Sequence, residues 1–150
     1  MEWQRYEYRV STDPALLQPA VIHGFLRQCY WARDIPADLL VRAMENSLCF
    51  GLYQGERQIG LARIITDSAT FAYVSDVFVL AEFQGQGLGL WLMSCVLAHP
   101  DLQGLRRILL STLDAHDLYR KLGFGELKYP ERMLEIFHEE IYRDADNRLA

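Results

Sequence analysis

Three alternating glycines, Gly85, Gly87 and Gly89, separate an apolar, β-rich run ending near Leu80 from a second apolar run that begins at Leu88. A side chain on such a turn would keep a phosphate away from the backbone N–H groups, so glycine is the residue that fits. A helix starting near Leu88 would add unpaired N–H groups and the positive end of its dipole. Residues of these types at this spacing suit the binding of an anionic phosphate ester beside a strand end.

The spacing narrows the ester. A dinucleotide fingerprint requires G-x-G-x-x-G, and here the third glycine comes one place early. A nucleotide P-loop requires Gly-Lys-Ser/Thr, and no lysine follows. Gln84-x-x-Gly87-x-Gly89 instead resembles the pyrophosphate loop of the GNAT N-acetyltransferases. A second stretch, Asp114 to Phe124, resembles that family's short helix running into Leu-Tyr-x-Lys-x-Gly-Phe. The resemblance covers most of the chain, is carried chiefly by these two motifs and is weakest in the N-terminal third. It implies acetyl-CoA as cosubstrate, with its diphosphate on Gln84, Gly85, Gln86, Gly87, Leu88 and Gly89, chiefly through backbone N–H. Gln84 and Gln86 stand where the family often has basic residues, which leaves more of the anion binding to the helix dipole.

Acetyl transfer from a thioester to an amine makes three demands. The amine must be neutral, the developing oxyanion needs a donor, and the departing thiolate needs a proton. Backbone N–H groups of a splayed strand can supply the donor, and the resemblance places that splay at Val77, Phe78 and Val79. Tyr119, four residues before the Gly123-Phe124 pair, matches the family's catalytic tyrosine as general acid. An ordinary phenol pKa of about 10 keeps it protonated, whereas a free thiol lies near about 8.5. Donation must therefore accompany C–S cleavage, or the site must lower the tyrosine's pKa. The plainer reading of Tyr119 is a helix tyrosine packed on the core.

The general base stays open. Strand alternation puts Tyr73, Ser75, Val77 and Val79 on one face and Asp76 on the other. Tyr73 falls near the place of the family's usual carboxylate, and Asp76 has the right chemistry at the wrong parity. His116 lies three residues before Tyr119, so both can share a helix face. It is a candidate base or simply a first-turn capping histidine, and a water chain would serve equally. Thr112 replaces the asparagine that the family often uses on the pantetheine arm, Ala115 matches a small family residue, and Asp114 is the expected N-cap. Trp31, with Tyr30, Arg33 and Asp34 in one loop, and Tyr73 and Ser75 on the strand, are the expected acceptor-side residues. Aromatic faces and an acid suit a cationic amine; the alternative is a loop whose aromatics pack on the core.

These residues need an α+β frame. Trp3 to Val10 reads as a first strand, Leu16 to Tyr30 and Leu39 to Asn46 as helices, Leu48 to Tyr53 and Ile59 to Thr66 as a hairpin, and Thr70 to Leu80 as a long strand. A helix over Gly87 to His99 stops at Pro100. Arg107 to Ser111 is a short strand, and Asp114 to Leu122 is a helix closed by Gly123. Phe124 to Lys128 and Met133 to Phe137 read as two closing strands. The expected architecture is GNAT-like: a mixed, mostly antiparallel sheet with helices on both faces and a splayed parallel strand pair. The expected organisation is one domain over residues 1–138 and a loose tail over 139–150.

Composition sets the bounds. At 150 residues, 51% hydrophobic and 23% charged, the chain suits one soluble domain. A net charge of −5 gives no support to a nucleic-acid surface. No apolar window reaches the roughly 18 residues of a membrane span, and no signal-peptide pattern opens the chain, so a cytoplasmic location is expected. Cys29, Cys49 and Cys95 have neither disulfide nor metal-ligand spacing. The reading is an acetyl-CoA-dependent N-acetyltransferase acting on a small primary amine. The alternatives are a protein α-amine or lysine as acceptor, or a non-catalytic acyl-CoA-binding regulatory module. A homodimer through the last strand is compatible with the pattern.

Overall fold

A computed structural model describes residues 1–143 of the chain. Six strands form one sheet in the order β1-β2-β3-β4-β5-β6, antiparallel except for the last pair. They are β1 (Glu2–Arg5), β2 (Tyr8–Ser11), β3 (Leu48–Gln54), β4 (Arg57–Thr66), β5 (Phe71–Val79) and β6 (Arg107–Leu110). Four helices accompany them: α1 (Pro19–Leu26), α2 (Ala37–Glu45), α3 (Leu88–Ala98) and α4 (His116–Lys121). This is the expected α+β architecture.

Strand alternation sorts the core onto two faces. Phe50, Leu52, Ala62, Ile64, Ala72, Val74 and Val79 pack with Leu88, Leu92, Met93 and Val96 of α3. Cys49, Leu61 and Phe78 face the other way and pack with Ile22, Leu26, Leu40 and Met44 of α1 and α2. Helix α3 is apolar on nearly all sides because the sheet covers one side and α4 approaches another, with Leu118 Cδ1 3.7 Å from a β-carbon built on Gly89.

Several elements differ from expectation. The first strand is two: Tyr6, at φ 55, turns the chain so that Trp3 pairs with Val10 in a hairpin. The first helix begins at Pro19, whose ring suits a first helical position, and ends at Leu26; residues 27–36 are turns. Asp114 does not cap α4. Thr112 Oγ1 accepts the Ala115 N–H at 3.1 Å instead. Neither closing strand forms. After Gly123 (φ 98), Phe124 N–H bonds back to Tyr119 O at 3.1 Å, and Pro130–Arg132 make a 3₁₀ turn. Met133 to Phe137 has β-forming residues but pairs with no strand among the described residues, and Leu134 and Ile136 are 97% and 91% exposed. Strand propensity reports fit to a pleated neighbour, and none is in place here. Of the expected tail, residues 139–143 run through turns, with Tyr142 against the second cluster and Arg143 3.4 Å from Asp34. Residues 144–150 lie outside the described residues. Among the described residues, no helix is long and apolar enough to cross a membrane.

Asp67 fixes the turn that sets β5 in register. Its Oδ1 accepts from Thr70, Ala69 and Phe71 N–H at 2.7, 3.0 and 3.1 Å, and Oδ2 accepts from Thr70 Oγ1 at 2.6 Å. These bonds favour the ionised form, those from Thr70 most, and hold the carboxyl far below its ordinary range. A folded pKa below the unfolded value of about 3.9 contributes stability that is present above that pH and lost as pH falls through the folded pKa. Asp67→Asn should therefore be less stable than wild type at pH 7, with the gap closing below about pH 4. Urea midpoints at pH 7 and pH 3 test this; the same gap at both would mean that the carboxylate charge contributes nothing.

Candidate active site

The site lies where β5 and β6 part. The two strands are paired from Phe71↔Arg107 to Val74↔Leu110. There β6 ends, while β5 runs on to Val79. Along this free stretch the backbone alternates. Leu80 N–H bonds Ile59 O on β4 at 2.8 Å, so Phe78 also turns its N–H toward β4. Val77 and Val79 turn theirs to the open edge. The Phe78 ring stacks on Phe25, with centroids 4.2 Å apart. Of the three splay residues, two can therefore present an amide to a ligand, and Phe78 belongs to the core under α1 and α2.

The loop after β5 is built around backbone amides. Gly85 and Gly87 have φ of 80° and 79°, the left-handed region that side chains disfavour. A β-carbon on either would meet no heavy atom within 4 Å, so the space in front of the loop is open. Gly87 caps α3 without a side-chain bond, and the first intrahelical bond runs from Trp91 N–H to Gly87 O. The N–H groups of Leu88, Gly89 and Leu90 are left free by helix geometry. Both glutamines turn their side chains to the protein: Gln84 Nε2 donates to Val79 O at 2.8 Å, and Gln86 Oε1 accepts from Tyr8 Oη at 3.1 Å. The loop thus offers amides and a helix dipole rather than side-chain cations, a donor set that fits a diphosphate.

On the far side of the splay, α4 carries His116 and Tyr119 into an open groove of about 1050 Å³ beside β6. Thr112 also lines this groove, although its Oγ1 is engaged with Ala115. The Tyr119 ring packs edge-on to Phe124 at 5.7 Å. Burial, and secondarily the neighbouring Tyr30, raise the Tyr119 pKa above its ordinary value. His116 is exposed at the first position of α4.

The acceptor side is where alternation misleads. A bulge lies between Arg63↔Asp76 and Ile64↔Val74, so Ser75 has no partner on β4. The extra residue brings Asp76 to the same side as Ser75, and one guanidinium reaches both: Arg63 Nε to Asp76 Oδ2 at 2.6 Å and Arg63 Nη2 to Ser75 Oγ at 2.7 Å. This corrects the parity expected for Asp76. Its other oxygen accepts from Trp31 Nε1 at 2.7 Å, so Asp76 lies beside Trp31 and Ser75, the expected acceptor residues, with both oxygens engaged. Tyr73 precedes the bulge, with its neighbours Ala72 and Val74 in the α3-side core. Tyr30 Oη accepts the Leu113 N–H at 3.1 Å, bridging the acceptor loop to the loop before α4. Sequence reasoning passed over Arg63 altogether. Its signal was a lone charge inside the apolar run Ile59 to Ile65, which requires a buried counterion. Among the described residues, no cluster of His, Cys, Asp or Glu could hold a metal ion.

Comparison with known proteins agrees with this geometry. The family model described as acetyltransferase (GNAT) matches residues 16–124. A Gibberella zeae protein named as a candidate acetyltransferase is 41% identical, over 84% of each chain. A crystal structure from Xanthomonas campestris pv. campestris, of a protein assigned to the GNAT family, superposes with a TM-score of 0.88 at 49% identity, covering 90% of this chain and 96% of that one. The fold is also that of a GNAT acetyltransferase from Elizabethkingia anophelis with acetyl-CoA bound, at a TM-score of 0.64, 14% identity and 89% and 90% coverage. With the family model spanning most of its length and a relative in close superposition, the chain belongs to the GNAT family and is an N-acetyltransferase.

Proposed function

We propose that this enzyme transfers the acetyl group of acetyl-CoA to the primary amine of a small metabolite. The observation that carries the reading is the free edge of β5, where the Val77 and Val79 amides point into the gap left by β6. Acetyl-CoA, when bound, supplies the thioester carbonyl and the thiol leaving group. The amides of the 84–89 loop and of the first turn of α3 hold its diphosphate. The Val77 and Val79 N–H groups orient the carbonyl and stabilise charge on its oxygen. Tyr119 keeps its proton at neutral pH, because burial disfavours the phenolate, and gives it to the departing sulfur as the C–S bond breaks. Asp76 is committed to Arg63 and Trp31. With Asp76 so engaged, the amine gives up its proton to His116 or to water in the open groove that His116 and Tyr119 line.

The bridge from Tyr30 Oη to Leu113 N–H joins the loop that carries Trp31 to the loop before α4, a connection that narrows the space between them and favours a small acceptor. The test has two stages. Acetyl-CoA and desulfo-CoA, but not ATP, should raise the melting temperature, by about 2.7 kcal/mol of stabilisation at a hundred times Kd. Thiol release should then be measured over a panel of small amines and a panel of N-terminal and lysine peptides. Turnover of small amines is expected. No shift with acetyl-CoA would overturn the cosubstrate assignment, and turnover of peptides alone would overturn the small acceptor.

A further inference from the structure

The buried polar cluster beneath the acceptor loop has no part in the chemistry above. Arg63, in the middle of β4, uses three nitrogens on three partners: Asp76 at 2.6 Å, Ser75 at 2.7 Å and Ser47 at 3.1 Å. Asp76 is 4% exposed, and among the described residues this guanidinium and the indole N–H of Trp31 are the side-chain partners of its carboxylate. Trp31 itself belongs to residues 27–36, which have no regular structure, and its side chain leaves the residue 39% exposed. Besides that bond, the indole packs edge-on to Tyr30, with centroids 5.1 Å apart. Tyr30 in turn holds Leu113, in the loop that leads to Tyr119. One buried ion pair at the β5 bulge thus ties the acceptor loop, the α2–β3 corner and the splayed strand together.

We propose that Arg63 is a positioning residue for the acceptor site: by holding Asp76 at the bulge, it fixes the Trp31 indole at the mouth of the splay. Trp31 then sets where the amine's substituent lies, and Arg63 acts only through it. The arrangement also names the kind of acceptor. Because Arg63 neutralises Asp76, the substituent meets an aromatic face with no free carboxylate behind it, which favours an apolar or aromatic group over a second cation. This inference rests on the acceptor reading of the previous section.

The test is a double-mutant cycle of Arg63→Met and Trp31→Phe, with phenethylamine as acceptor probe. Trp31→Phe keeps an aromatic ring and loses the N–H. Each single variant should raise KM for the amine about tenfold, as for the loss of one hydrogen bond to a charged group. Acetyl-CoA affinity should not change, and kcat should fall less than KM rises. The double variant should be no worse than either single one, since both remove the same restraint. Additive effects, or an unchanged KM in folded variants, would overturn the proposal. An independent readout needs no turnover. The Trp31 indole N–H resonance, identified by its absence in Trp31→Phe, should move upfield in Arg63→Lys, which folds more readily than the methionine variant. If it stays in place, the indole is held without Arg63. Should wild type turn over no amine at all while the indole signal does move, the acceptor reading fails and the positioning contact stands.

Discussion

Replacing Tyr119 by phenylalanine is expected to lower kcat by about 10²–10³-fold while leaving acetyl-CoA affinity unchanged. The ring keeps its edge-on contact with Phe124, so the helix and the 5.7 Å packing survive. Among the described residues no hydrogen bond acts on the Tyr119 hydroxyl, so its loss leaves no partner unsatisfied. What disappears is the proton for the departing sulfur. A thiolate leaves less readily than a thiol, and the barrier rises by the share that general-acid catalysis contributed. An alkaline rise of the rate is expected in wild type and variant alike, because that limb belongs to the amine, whose pKa is about 10.4 when unperturbed. Steady-state kinetics with thiol detection reads both quantities. A kcat within twofold of wild type would mean that the sulfur takes its proton from water and that Tyr119 only packs.

Gly87→Val should abolish the acetyl-CoA-induced thermal shift. Two effects combine. A β-branched residue at φ 79° is strained by roughly 1–2 kcal/mol, which corresponds to a melting temperature lower by roughly 2–8 °C in a domain of this size. More important for function, its methyl groups would occupy the open space before the first turn of α3, the proposed approach of the diphosphate to the amides. The expected loss of affinity is 100-fold or more, about 2.7 kcal/mol. Gly104→Val is the control. Gly104 also has a left-handed φ, of 70°, but lies in the turn before β6, away from the loop. It should lower the melting temperature without touching affinity. Equal affinities for the two valine variants would place the diphosphate elsewhere on the molecule.

The two glycine-bearing motifs were legible because their signals are local. A turn that requires left-handed backbone restricts residue type at the turn itself, so Gly85, Gly87 and Gly123 announced α3 and the end of α4 directly. The long strand β5, helix α3 and the β3–β4 hairpin followed from periodicity and turn residues within short windows. Where the sequence misled, the deciding partner was distant. Met133 to Phe137 has the pattern of a strand, but a strand needs an edge to pair with, and pairing is a property of the neighbour. Trp3 to Val10 alternates well enough for a single strand apart from the Gln4-Arg5 step, yet the left-handed turn at Tyr6 folds it into a hairpin in which Trp3 meets Val10.

The site divides in the same way. The sequence by itself determined the glycine loop, the tyrosine helix and the order of elements around them, since each rests on backbone conformations set by residues a few positions apart. Only the tertiary structure decided which side of β5 Asp76 faces. One unpaired residue at Ser75 reverses the alternation, and at that bulge Arg63, from the neighbouring strand, bonds both Ser75 and Asp76. A single inserted register step moves every following side chain to the other face, and nothing in the local pattern of β5 records it.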